Sequence, residues 1–185
     1  HDLLQHEYDP DKSRFFLRKA GIETLATTLQ VSDIAFVGAT DGAALFQATA
    51  AKAGISIAIK REPSDGYWDN VWKKAAFCAS YSGGRVTVDA ALAKAFKSTS
   101  PGNETNWRRP ELDRLADEAR GEIDGAKRTA LYAECQRMIA EDCGAIIMLF
   151  VDSLEASSAR VKGHKTSSVF ELMNLRLCEE VWLQS

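Results

Sequence analysis

Apolar and polar positions follow two rhythms along this chain, one helical and one extended, which change places several times before residue 150. The first helix is marked by Asp9-Pro10-Asp11. Asp9 suits an N-cap, and Pro10 suits the first helical position, where a missing N–H costs nothing. Phe15, Phe16 and Ala20 follow, and Gly21 is placed to end the helix. Residues 32–37 (SDIAFV) have strand composition and run into Gly38-Ala39-Thr40-Asp41-Gly42. Asp41 can cap a second helix over 42–53, on which Leu45, Phe46 and Thr49 share a face. Gly54 stops that helix, and residues 55–60 (ISIAIK) alternate like a strand. Residues 32–60 therefore predict strand, helix, strand, a right-handed crossover joining a parallel pair.

Residues 65–74 predict a short helix carrying Trp68 and Trp72 one turn apart, and residues 76–81 (AFCASY) a strand that ends in Ser82-Gly83-Gly84-Arg85. A helix is expected over 89–97 and a polar surface loop over 98–106 (STSPGNETN). Two further helices are expected over 110–120 and 125–141, the second with the clearest amphipathic pattern in the chain. Residues 145–151 (AIIMLFV) are apolar without interruption, the pattern of a strand covered on both faces. Beyond residue 153 the rhythm weakens, and 159–163 and 169–177 fit either state. No internal repeat or low-complexity segment is present. Helices and strands in alternation give an α/β class.

Composition narrows the function classes. At 45% apolar and 26% charged residues, with a mean hydropathy of −0.22, the chain has the make-up of a folded domain and not of a disordered one. A net charge of −3 offers no electrostatic footprint for nucleic acid or an anionic membrane, so neither is expected as a partner. The chain opens His1-Asp2-Leu3 without Met, and no basic segment followed by an apolar one marks a leader. Cys78, Cys135, Cys143 and Cys178 include no C-x-x-C pair, and His1, His6 and His164 stand far from them. A zinc site is not expected on that spacing, nor any other cofactor. Free, buried thiols are the simplest expectation, with one disulfide open in an oxidising compartment.

Motifs of catalysis are missing: there is no phosphate loop of the G-x-x-x-x-G-K type, no H-E-x-x-H and no G-x-S-x-G. The turn at 38–42 can offer N–H groups to an anion, although a tight strand-to-helix turn needs small residues in any case. Tyr67, Trp68 and Trp72 read either as half-buried packing or as a ligand platform. The segment from Ser80 to Arg85 carries most promise. A strand ending in a glycine pair lets backbone approach a ligand, and Arg85 adds a donor fork suited to a carboxylate. Ligands of open α/β sheets gather at such carboxyl ends of strands.

The order of segments resembles the family 5 extracellular solute-binding proteins of peptide-type ABC importers, which take dipeptides, oligopeptides and nickel. Tyr8-Asp9-Pro10-Asp11-Lys12 with Leu17, Ala20 and Gly21 is similar to that family's Y-D-P helix, and residues 48–57 to its helix-to-strand junction ending G-I-x-V. Asn106-Trp107-Arg108-Arg109-Pro110-Glu111-Leu112-Asp113 and Asp124 through Lys127-Arg128, Leu131-Tyr132 and Gln136 to Asp142 resemble two more of its segments, followed by the apolar run and Val161-Lys162-Gly163. The resemblance covers nearly all of residues 1–185 and implies one lobe, the C-terminal ligand-binding lobe, of a type II periplasmic-binding-protein-like bilobal fold. It also implies a longer parent, with an N-terminal lobe, crossing strands and signal peptide outside this sequence. An extracytoplasmic, periplasmic receptor follows, one that performs no chemistry, traps a small solute (a peptide or peptide-like molecule) between lobes and hands it to the permease subunits of the importer. In peptide binders of the family the strand matching 76–81 ends in an aromatic residue, and an Asp three positions on holds the ligand's α-amino group. Tyr81 and Gly84 stand at those places here, so the amine anchor is missing and Arg85 favours an anionic group, as on an acidic peptide or an opine-like solute. The ligand-binding residues expected are Tyr81, Gly83, Gly84 and Arg85, with Asp89 and Trp107 beside them. Two other classes fit the bare residues: a small enzyme holding phosphate at 38–42, and the ligand-sensing domain of a cytoplasmic regulator.

Overall fold

The structure, a computed structural model, describes residues 3, 6–152, 154–167 and 170–184. Two compact units follow one another, His1–Ser82 and Gly83–Ser185.

The first unit is built on one crossover. Helix α1 (Pro10–Lys19) starts as expected, with the Asp9 carboxylate accepting from Lys12 N–H and Pro10 at the first turn. The crossover itself is strand β1 (Leu25–Val31), helix α2 (Ala39–Lys52) and strand β2 (Ile55–Arg61), with β1 and β2 parallel and Leu29 opposite Ile59. The first strand thus lies seven residues before the predicted 32–37. Leu25, Thr27, Leu29 and Val31 alternate against Ile55, Ile57 and Ile59, so LATTLQV can cover α2 on one face. Residues 32–37 form turns instead, and Asp33 explains why: its carboxylate accepts from Thr40 N–H at 2.9 Å. Asp33 therefore does the work expected of Asp41, which sits inside the first turn of a helix whose N-cap is Gly38. Gly54, at φ +83°, turns the chain into β2.

The predicted strand over 76–81 is reduced to a single bridge, Gln30 with Cys78, where Gln30 N–H donates to Phe77 O and Ala79 N–H to Gln30 O. The predicted helix over 65–74 shortens to one turn, α3 (Tyr67–Asn70). Leu29, Val31, Ala39, Ala43, Ala50 and Ile57 form the core of this unit, and Tyr67 with Ala35 and Val71 a smaller one beside it.

The second unit is helical. Helices α4 (Val88–Ala95), α5 (Pro110–Gly121) and α6 (Gly125–Asp142) match the expected segments to within two residues. Their shared core is Leu92, Trp107, Leu112, Leu115, Ala116 and Cys135. Helix α5 buries four residues and α6 only Cys135, so the amphipathic face foreseen for α6 is mostly half-buried. The loop over 98–106 is not wholly on the surface, since Gly102 and Asn103 are buried. Beyond α6, the described residues form strand β3 (Val161–Lys162), a left-handed turn α7 (Glu171–Leu175), one further turn α8 (Leu177–Glu180) and strand β4 (Trp182–Leu183), with β3 and β4 antiparallel. Val169, the first residue of one segment left open in the sequence, lies outside the described residues.

The largest departure is the apolar run 145–151. In this chain it is neither a strand nor buried: Ile146 through Val151 are all exposed, Phe150 to 93%. Hydrophobicity alone does not make a strand; a sheet must be there to receive it. None of the four cysteines is in a disulfide, yet only Cys135 is buried, while Cys78 and Cys143 are half-buried and Cys178 is exposed. Burial first, and then the Glu134 carboxylate, pushes the Cys135 thiol above its ordinary pKa.

Candidate functional site

Tyr81 closes the first unit. Its ring meets Trp68 edge to face at 5.6 Å, and Trp68 meets Tyr67 at 5.4 Å and Trp72 at 6.0 Å in the same way. Tyr67, Trp68 and Trp72 are packed together, buried or half-buried, as the packing reading expects. Tyr67 is fully buried and holds the cluster in place, its hydroxyl donating to Ala79 O at 2.8 Å, with Gln30 O at 3.2 Å. Burial, with Cys78 next, pushes that hydroxyl up to about 12. Tyr81 at the end of the chain of rings is 62% exposed and presents an open aromatic face. Trp72 Nε1 within this group and Ser80 Oγ next to Tyr81 in sequence are buried with no hydrogen-bond partner among the described residues.

Residues 83–85 begin the second unit and are exposed in an irregular stretch. Arg85 folds back on its own backbone, Nη1 donating to Gly83 O at 2.9 Å and to Gly84 O at 2.7 Å. Those bonds use one nitrogen of the guanidinium, so Nε and Nη2 keep donors for an anion. The glycine pair lets the two carbonyls gather around one donor.

Asp89 and Trp107 are engaged elsewhere. The Asp89 carboxylate takes Arg120 Nε on both oxygens, at 3.0 and 3.2 Å, joining α4 to α5. Trp107 is 8% exposed in the helical core; its Nε1–H donates to Asp142 at 3.0 Å, and the Arg109 guanidinium lies 5.5 Å from its ring centroid. Arg109 Nε reaches the same Asp142 oxygen at 2.7 Å. The Trp107 hydrogen bond first, and Arg109 second, hold the Asp142 carboxyl below its ordinary value. Asp89 and Trp107 are thus engaged within the helical unit, while Tyr81, Gly83, Gly84 and Arg85 are exposed.

A hollow of about 370 Å³ opens at the carboxyl ends of β1 and β2, lined by Ser32, Asp33, Thr40, Asp41, Arg61 and Glu62 among others. It includes the turn considered for phosphate. There three of the N–H groups are already engaged: Ala39 donates to Phe36 O, Thr40 to Asp33 and Gly42 to Gly38 O. Three carboxylates line the same hollow, which disfavours an anion. Among the described residues no cluster of His, Cys, Asp and Glu is arranged to hold a metal ion, and no helix is long and apolar enough to cross a membrane.

No protein-family model matches the chain, and no curated protein does. Solved structures do match. The ABC transporter-associated periplasmic binding protein DppA from Helicobacter pylori, in complex with peptide STSA, aligns over 100% of this chain and 36% of its own, at TM-score 0.76 and 21% identity. The nickel ABC transporter protein from Bacillus halodurans aligns over 76% of this chain and 32% of its own, at TM-score 0.58 and 20% identity. MoaA from A. tumefaciens R10, in complex with mannopinic acid, aligns over 71% and 28%, at TM-score 0.59 and 24% identity. The chain thus spans about a third of the length of these structures, and its fold is that of the corresponding portion of periplasmic and ABC-transporter binding proteins.

Proposed function

We propose that this chain is part of the solute-binding component of an ABC importer, a non-enzymatic receptor that captures a peptide or peptide-like solute outside the cytoplasm. Residues 1–185 are then the C-terminal ligand-binding portion of a longer bilobal protein, which delivers its solute to permease subunits in the membrane. The observation that carries this reading is the fold likeness along the whole chain to a protein holding a peptide. The exposed ring of Tyr81, the glycine pair and the free donors of Arg85 supply stacking, backbone access and an anionic contact in five consecutive residues. Gly84 in place of an acidic anchor leaves no carboxylate in that segment for a free amine, so the favoured solutes carry a carboxylate near an apolar or planar group. Another protein of the same fold binds mannopinic acid, which supports acids as well as peptides.

Isothermal titration of the full-length protein against acidic and neutral peptides and opine-type acids tests the reading. Micromolar or tighter binding, lowered about tenfold or more by Arg85→Ala for acidic solutes alone, is the expected result. Undiminished affinity in both Tyr81→Ala and Arg85→Ala would remove this segment from the site.

A further inference from the structure

We propose that residues 145–151 form an interior strand of a sheet completed by polypeptide of the same protein that lies beyond this chain. The run from Ala145 to Val151 contains no polar residue, and Leu154 just past it is 95% exposed. Among the described residues no backbone hydrogen bond involves 145–152. Seven residues is an ordinary strand length. A strand on an edge, or in a sheet with one wet face, alternates apolar with polar side chains; this one does not, so both of its faces call for cover. The strands β3 and β4 of the same unit are two residues long and already paired with each other, so they offer no sheet of the necessary size.

The occupant follows from length. Solved proteins of this fold are roughly two and a half times as long as the chain, which covers 36%, 32% and 28% of three of them. The alignment to the first includes the whole of this chain, the apolar run with it. The inference rests on the proposed reading in one respect, that the chain is a portion of a longer binding protein; it does not depend on the solute.

Hydrogen exchange followed by mass spectrometry, on this chain and on the full-length polypeptide, each at two concentrations and without solute, provides the test. The amides of 146–151 are expected to exchange at the unprotected rate in the chain alone at the lower concentration. In the full-length polypeptide they are expected to exchange at least 100-fold more slowly, at both concentrations. Equal, unprotected exchange in both proteins overturns the proposal. So does protection in the full-length polypeptide that appears only as its concentration rises, which assigns the face to a second copy. Ile147→Asp gives an independent readout: an unchanged melting temperature in this chain and a lowered one in the full-length protein. A full-length protein protected at 146–151 that binds no peptide or acid would fail the functional reading while upholding this one.

Discussion

Asn103 sits in a loop that reads as polar surface, yet it is 5% exposed and its amide donates to Trp107 O at 2.7 Å, with Phe96 O and Lys97 O at 3.3–3.4 Å. An Asn103→Leu variant keeps the volume and removes the donors, leaving buried carbonyls unpaired at a cost of about 1–3 kcal/mol. Urea unfolding should show that loss, and a change below about 0.5 kcal/mol would place the order of the loop elsewhere. Trp107 and Asp142 add a pH dependence. The folded carboxyl titrates below its ordinary value of 3.8, so its contribution is complete above that value and is lost as the pH falls through the lower, folded one. Thermal melts from pH 6 to 2 should therefore show the wild type losing its advantage over Asp142→Asn only below about pH 4; a gap that stays constant down to pH 2 would contradict the pairing. None of this was legible from the sequence. Trp107 stood out there as a candidate binder, because its partner Asp142 lies 35 residues away at the end of another helix and nothing local announces the contact.

At the scale of elements, local signals were read well where one residue decides the geometry. Asp9-Pro10 starts α1, and α6 begins at the expected residue 125, where the Asp124 carboxylate accepts from Lys127 N–H. They were misread where two segments competed for one role. LATTLQV and SDIAFV both have strand composition, and only pairing with β2 under α2 decides between them. Gly54 shows how tightly that crossover is closed. Its φ is +83°, and a Cβ there would lie 2.9 Å from Leu17 Cδ1, so Gly54→Ala meets both backbone strain and α1. Helix α1 buries no residue of its own and is held largely by polar bonds, Ser13 Oγ donating to Ala53 O at 2.9 Å and Arg14 to Lys52 O. The variant should be destabilised by roughly 1–3 kcal/mol, with α1 displaced. Circular dichroism with urea checks the first, and faster proteolysis after Arg14, Arg18 or Lys19 checks the second. In the other unit, Leu112 is fully buried among Trp107, Leu115 and Cys135, and Leu112→Ala should cost about 2–5 kcal/mol by the same unfolding assay.

For the whole molecule, apolar surface is the governing property. Phe15 and Phe16 of α1 are about half exposed, and 146–151 with Leu154 form a second apolar stretch far in excess of the scattered single residues that soluble surfaces carry. The sequence announced that stretch as buried, and the physical reason it is not lies in what a strand requires: partners on both edges and cover on both faces, which no local pattern can guarantee. Such a surface should make the isolated chain associate as its concentration rises. Phe150 and Leu154 are exposed to 93% and 95%, so in the monomer their side chains have almost no packing to lose. The double variant Phe150→Ser/Leu154→Ser should leave the urea midpoint of the isolated chain within about 0.5 kcal/mol of wild type. In the same chain it should lower the light-scattering mass at high concentration and reduce binding of an apolar dye. A destabilised variant would mean that the run packs within the chain. An unchanged mass would move the sticky surface to Phe15 and Phe16, where Phe16→Ser would then be the variant that restores a monomer.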